Sequence, residues 1–461
     1  MSDPLWAVSP LDGRYAQRTA PLATYASEGA LMRARTHVEI EYLIALADLD
    51  AVELSLTEDD RGALRAVYET FDTEDAALVK QIETEGYGPY SATNHDVKAI
   101  EYFIRERAPA SLSLDRWIHV GLTSEDVNNL AHRLLLDGAM REVILPALVE
   151  LRDVLAAEAH THRALPMLAR THGQPATPTT YGKELAVFAD RLDRAIDRVE
   201  AATDGLAGKL AGASGTYAAH VSAFPEIDWP SFAEAFVESL GLEHLPLATQ
   251  VNSCDDVAAL FDALARVNHI LIDLDRDVWL YVSMEYLGQT VTAGETGSST
   301  MPHKVNPINF ENSEGNLSKA TADLRFLADY VTTSRLQRDL SDSTVKRNIG
   351  AALAHCLLGY HKTLAGLEQV TPNESAMTRD LDNHPEVLGE AIQTVLRREG
   401  YDDAYERIKD ATRGRAVTLE NLQAVVEATD LPADVKTRLR ELTPGSYTGV
   451  ADALVDELDD G

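Results

Sequence analysis

Between Asp255 and Met284, apolar residues fall at Val257, Leu260, Phe261, Leu264, Val267, Leu271, Leu274 and Val278. Steps of three and four place them on one stripe of a long amphipathic helix. Such a stripe has to be buried against another element. The same spacing returns at Leu185, Phe188, Leu192, Ile196 and Val199, within Lys183 to Ala202. Asn128 to Ala157, Ser318 to about Val331 and Ile349 to Val370 repeat it. Pro146 lies inside the first of these three, where its missing N–H predicts a kink. No run alternates with the period of a strand. The pattern predicts an all-α chain whose centre is a bundle of long helices with facing stripes. Leu112 to Arg116 reads as the entrance to the long-helix region, and Thr371-Pro372-Asn373 as its exit. Three helical domains are therefore expected, at 1–114, 115–370 and 371–461.

With 461 residues, 45% of them hydrophobic, the chain can bury a sizeable core and is not a disordered one. No apolar run is long enough to span a membrane, and Met1-Ser2-Asp3-Pro4 opens no signal segment. A soluble, cytoplasmic protein is expected. Cys254 and Cys356 cannot build a disulfide framework, which suits a reducing compartment. The formal charge is −33, from 74 acidic and 41 basic residues, and only ten of the basic ones are lysine. A nucleic-acid binder would show the opposite balance, so no nucleic-acid partner is expected. The acidic excess is spread along the chain. It describes a strongly hydrated surface suited to high salt, or more simply an ordinary acidic cytosolic enzyme. The acidic end, Asp456 to Asp460, reads as a solvated tail.

Five clusters carry side chains suited to chemistry. Gly297-Ser298-Ser299-Thr300-Met301-Pro302-His303-Lys304-Val305-Asn306-Pro307 has almost no apolar period, and its glycine and prolines predict a loop between helices. Loops held over a pocket by a rigid scaffold often carry function, whereas a flexible linker needs no clustered His and Lys. In Ala169 to Pro178, Gly173, Pro175 and Pro178 predict a turn before a helix beginning near Thr179 or Thr180. His172 in that turn is either a plain surface residue or a proton-transfer group reaching a cleft. Thr123-Ser124-Glu125-Asp126 reads as a helix N-cap, and such an end also offers free N–H groups to an anion. Thr93-Asn94-His95-Asp96-Val97-Lys98 reads as another capped start. Arg338 to Arg347 is either a solvated charge run or a set of donors for phosphate or carboxylate. His160 and His162 have no third metal ligand indicated, Gly208-Lys209 lacks the upstream glycine of a phosphate loop, and no dinucleotide fingerprint occurs. Neither a metal nor a redox cofactor is expected.

The run from Gly297 to Pro307 resembles the GSSxMPxKxNP loop of the fumarase/aspartase superfamily at every fixed position. The tail Ile308 to Asn316 narrows the likeness, which runs from Ser9-Pro10-Leu11-Asp12-Gly13-Arg14-Tyr15 to Thr443-Pro444. The resemblance implies a β-elimination that releases fumarate from a small succinylated nucleotide. It also implies a homotetramer with a shared helical core and sites built by several subunits. Ser298 matches the base, with Ser299 the adjacent alternative. A serine needs its alkoxide stabilised, and glycine-rich backbone N–H groups with the Lys304 ammonium are suited to that. His172 matches the acid that protonates the leaving nitrogen. Lys304, Asn306, Thr123 and Ser124 match contacts to the substrate's carboxylates. Asn94, His95 and Asp96 match residues lining the site, with His95 near the phosphate or the acid–base relay. Arg338, Ser343, Thr344 and Arg347 match the nucleotide-phosphate segment, which includes Val345 and Lys346. Arg14 and Tyr15 match a further substrate pair, and Gln250 and Asn312 fall in the site. The stretch Glu85 to Ser91 departs from the pattern as a local insertion, and Asn252-Ser253-Cys254 matches loosely. A lyase acting on argininosuccinate, aspartate or malate is the alternative enzyme; its substrate would give the 338–347 segment no phosphate to hold. A catalytically silent scaffold is the alternative of a different class.

Overall fold

In the computed structural model, which describes residues 4–290, 305–412 and 417–459, the apolar stripes become long helices. The helices used below are α1 (Glu28–Ala47), α2 (Asp96–Arg107), α3 (Ser124–Ala139), α4 (Leu145–Thr161) and α5 (Tyr181–Asp204). They continue with α6 (Asp255–Ser283), α7 (Ile308–Val331), α8 (Ser341–Lys346), α9 (Ile349–Leu367) and α10 (Glu374–Asp382). The architecture is all-α, with short strand pairs only among the described residues. Ser27 caps α1 by accepting from the Ala30 N–H, and Asp255 and Asp256 occupy the first turn of α6, where the helix dipole favours a negative charge. Pro146 does not break its helix. Met140–Ile144 instead form a π segment that joins α3 to α4, with the Leu145 N–H bonded to Met140 O. The wider register accommodates a residue that can donate no hydrogen bond. No helix among the described residues is long and apolar enough to cross a membrane.

The chain divides into two compact units, and the borders fall within α4, α5, α6, α7 and α9. The first comprises Met1–Leu148, Ala195–His269 and Gly315–Gly359. In it α1 packs on α3, and Ile40, Tyr42, Leu46, Ile100, Phe103, Leu130 and Leu264 are inaccessible to solvent. The Tyr42 hydroxyl donates to Val120 O at 2.9 Å, which satisfies the polar end of a buried ring. Within the stretch Glu85 to Ser91, Gly86–Tyr87 pairs with Tyr90–Ser91 in a hairpin. Gly86 has φ +87, and a Cβ there would meet Tyr90 O at 2.6 Å. The Tyr90 ring stacks on Tyr102 of α2 at 4.2 Å.

The second unit comprises Val149–Arg194, Ile270–Glu314 and Tyr360–Gly461. Leu151, Leu155, Leu192, Leu274 and Val278 are buried in its long helices, and Leu388, Ile392, Leu396, Leu422 and Val426 form a further core near the C-terminus. Short antiparallel pairs punctuate it. The strands are β1 (Pro166–Met167), β2 (Arg170–Thr171), β3 (Gln174–Pro175), β4 (Thr179–Thr180), β5 (Leu287–Gln289) and β6 (Val370–Pro372). β1 pairs with β4, β2 with β3, and β5 with β6. Two expected helix ends move for this reason. The helix expected from Thr179 or Thr180 starts at Tyr181, because those threonines form β4. The helix expected to reach Val370 stops at Leu367, because Val370 enters β6.

Candidate functional site

The N-terminus of α3 is held from beneath. Asp126 accepts from the Thr123 N–H at 2.9 Å, the Ala211 N–H at 3.0 Å and the Gly212 N–H at 3.2 Å. Its fourth partner is the Lys209 ammonium, at 2.7 Å. The Lys209 backbone N–H donates to Asn129 Oδ1, and Asn129 Nδ2 donates back to Lys209 O. Gly208-Lys209, which fails as a phosphate loop, therefore supplies a buried cation to the cap of α3. Thr123 and Ser124 stand half-buried on top of this cap. One neighbouring pair escaped the sequence reading. His119, at φ +62, brings Nδ1 within 2.5 Å of Glu39 Oε1 on α1. Burial opposes its charge most strongly, yet Glu39, Glu101 and Asp126 together outweigh it and raise the imidazole above the usual histidine range. His119 and Glu39 are 80 positions apart and belong to no motif, so no sequence signal marks the pair.

The 338–347 segment lies against the same helix end. Arg338 donates to Gln250 Oε1 at 3.0 Å and approaches Glu125 Oε2 at 3.7 Å, while Gln250 Nε2 donates to Ala213 O. An open cavity of about 460 Å³ is lined by Ala213, Gln250 and residues 336–340. Asp339 lies one residue ahead of the Leu340 N-cap of α8, and hydrogen bonds from the Ser341 hydroxyl and N–H, then from the Arg335 N–H, bring its carboxyl down to about 2. Lys346 is 8% exposed, with its ammonium 2.7 Å from Asp342 and 3.6 Å from Glu125. Arg347 reaches Glu28 at 2.6 Å and lies 3.9 Å from Asp96, which Arg35 holds at 2.8 Å. A smaller cavity of about 100 Å³ is lined by Glu28, Arg35, Glu125, His132, Ser343 and Arg347 among others. Burial, then the charges of Lys346, Arg35, Arg133 and Arg347, hold the His132 imidazole well below its ordinary range.

Asp96, Thr123, Ser124, Gln250, Arg338, Ser343, Lys346 and Arg347 thus share one region of the first unit. Thr344 is exposed and Val345 half-buried on α8. Asn94 has φ +48, and His95 caps α2, its Nδ1 accepting from the Lys98 N–H at 3.2 Å. Arg14 and Tyr15 lie in the turn ahead of the first helices, the guanidinium 6.0 Å from the Tyr15 ring centroid.

In the second unit His172 sits at the tip of the β2–β3 hairpin. Thr171 pairs with Gln174, so the loop is only His172-Gly173, with φ of +53 and +74. Two positive values define a type I′ turn, the twist-compatible hairpin connection. Histidine adopts this conformation more readily than most side chains, but still at a cost. The imidazole is exposed. Beside the hairpin lies a cavity of about 560 Å³, lined in part by Arg170, Gly173, Glu184, Asp277 and Tyr281. Burial, then Asp273 and Glu184, raise the Asp277 carboxyl. Asn306 accepts from the Ile308 N–H as α7 begins, and Asn312 lies on that helix. Ser298, Ser299 and Lys304 fall outside the described residues.

A family model described as lyase matches residues 13–321, and one described as adenylosuccinate lyase C-terminal matches residues 334–448. The adenylosuccinate lyase of Escherichia coli is 46% identical over 462 residues, covering 98% of this chain and 99% of its own. That of Dictyostelium discoideum is 44% identical over 459 residues, covering 97% of each chain. Among solved structures, a fumarate lyase from Mesorhizobium matches with a TM-score of 0.75 at 22% identity, over 96% of this chain and 98% of that one. The 3-carboxy-cis,cis-muconate lactonizing enzyme from Pseudomonas putida matches with a TM-score of 0.74 at 24% identity, over 96% of each chain. These two likenesses concern the fold.

Proposed function

This chain belongs to the adenylosuccinate lyases of the fumarase/aspartase superfamily, and from that premise we propose how its residues divide the reaction. It is a carbon–nitrogen lyase of purine biosynthesis. It releases fumarate from adenylosuccinate, leaving AMP, and from the succinylaminoimidazole-carboxamide ribotide. The observation that carries this reading is the end-to-end likeness to adenylosuccinate lyases, the C-terminal region included.

The reaction removes a proton from the succinyl carbon beside a carboxylate and then breaks the C–N bond. Ser298 takes the proton, its alkoxide stabilised by loop N–H groups and by the Lys304 ammonium; this assignment rests on the sequence motif. His172 protonates the departing nitrogen, a contribution on the order of 10² to 10⁴-fold. Its support is the strained, exposed hairpin tip, since backbone strain of this kind concentrates at functional sites. Thr123, Ser124, Lys304 and Asn306 hold the substrate's carboxylates, with Asn312 beside them. Arg338, Ser343, Thr344 and Arg347 hold the phosphate, in a segment completed by Val345 and Lys346 and joined by Arg14 and Tyr15. Gln250 and Glu28 support this role by holding the two guanidinium forks in place before any anion arrives. His95 accepts from the Lys98 N–H through Nδ1, which leaves its proton on Nε2, free to donate to the phosphate or to the proton relay. Asn94 and Asp96 line the same side.

The enzyme is assigned to the cytoplasm and to a homotetramer with shared sites, with segments 1–114, 115–370 and 371–461 and the middle one as the associating bundle core. Exposed Val187, Trp279, Leu280 and Phe326 on the long helices α5, α6 and α7 support such an assembly. The direct test is the ultraviolet absorbance change as purified protein converts adenylosuccinate to AMP in suitable salt. A steady change supports the reading; none rejects it.

A further inference from the structure

One carboxylate ties the His172 hairpin to the C-terminal part of the second unit. Arg170, in β2 and two residues ahead of His172, donates through Nη2 to Asp380 Oδ2 at 2.7 Å. The Tyr286 hydroxyl donates to the same oxygen at 2.5 Å, and His384 Nδ1 lies 3.2 Å from Oδ1. Partial burial opposes the Asp380 charge, but the bonds from Tyr286 and Arg170 outweigh it and hold the carboxyl below its ordinary range. Asp380 lies on α10, and beneath this contact Leu168, Leu381 and Val387 form a small buried apolar cluster. On the far side of the hairpin, Thr177 donates to Glu390, which also accepts from Tyr447. The hairpin is thus pinned on both flanks while its tip carries a histidine in a left-handed conformation. Such a tip persists only where its surroundings over-determine it.

We propose that Asp380 is a positioning residue for the elimination: through Arg170 it fixes the hairpin that aims the His172 imidazole at the leaving nitrogen. This rests on the reading of His172 as the general acid. Asp380 touches no reacting atom, so its effect has to pass through His172. A displacement of about 1 Å in a catalytic group costs on the order of 10²-fold in rate.

The experiment is a kinetic cycle on the full-length enzyme, comparing Asp380→Asn, His172→Gln and the double variant. Asp380→Asn is expected to lower kcat about 10- to 100-fold with KM little changed, and to lower it no further in the His172→Gln background. Arg170→Gln, which cuts the same link from the hairpin side, carries the same expectation should Asp380→Asn fail to assemble. Arg170→Lys is expected to recover part of the rate. A kcat for Asp380→Asn close to that of the parent, with His172→Gln strongly impaired, overturns the positioning role alone. So does an equal loss in both backgrounds, which marks a general structural defect. A fully active His172→Gln overturns the general-acid reading, and this inference with it.

Discussion

Lys209 Nζ and Asp126 Oδ1 meet at 2.7 Å, and neither side chain is more than 1% exposed. Removing Lys209 leaves the Asp126 carboxylate buried with only its three backbone N–H donors, and breaking a buried ion pair typically costs about 3–5 kcal/mol. Lys209→Met is expected to lose about that much unfolding free energy in a denaturant titration. Lys209→Met/Asp126→Asn should lose less than the two single changes added together, because it leaves no unpaired ion. An unchanged midpoint for Lys209→Met would mean that the pair does not hold the cap of α3.

Arg338 and Arg347 are assigned to the nucleotide phosphate. A hydrogen bond to a charged group contributes about 1.5–3 kcal/mol, so Arg338→Ala and Arg347→Ala should each raise KM for adenylosuccinate about 10- to 100-fold. Succinyladenosine, which lacks the phosphate, should be turned over equally by parent and variants. An equal loss on both substrates would contradict the assignment and favour a purely structural segment.

The long helices were readable because burial on one face leaves a stripe of period near 3.6. α6 ends at Ser283, against an expected Met284, and α5 brackets the expected Lys183 to Ala202. The start of α7 was not readable: it begins at Ile308, but its first turns carry Asn309, Glu311, Asn312 and Glu314, which dilute the period. The hairpin at His172 left no strand signal, since two-residue strands have no alternation to detect. The residues around α3 could be named singly from motif and resemblance. Their partners could not: Glu39 with His119, Asp126 with Lys209 and Asp380 with Arg170 are joined by the fold across long stretches of chain.

Asp275 predicts a pH dependence. It is 1% exposed in α6, accepts from the Thr363 hydroxyl at 2.9 Å, and is pushed by burial up to about 8. The folded state therefore keeps its proton where the unfolded chain has lost it, so stability falls as pH rises from about 4 to about 8 and then levels off. Asp275→Asn removes this dependence. The melting temperature of the variant minus that of the parent should climb across this window, and a difference independent of pH would contradict the assignment.

The formal charge of −33 predicts a response to salt. Self-repulsion across an acidic surface is screened over about 10 Å at 0.1 M and about 3 Å at 1 M. The melting temperature is expected to rise from low salt to molar potassium chloride. A flat or falling curve would point to an ordinary acidic surface.

The most direct measurement is an experimental structure of the assembled Ser298→Ala enzyme with adenylosuccinate bound. It should show the His172 imidazole within about 3 Å of the nitrogen that leaves, and residue 298 beside the succinyl carbon that loses its proton. A bound substrate with neither residue, from any subunit, near the carbon–nitrogen bond would contradict the mechanism.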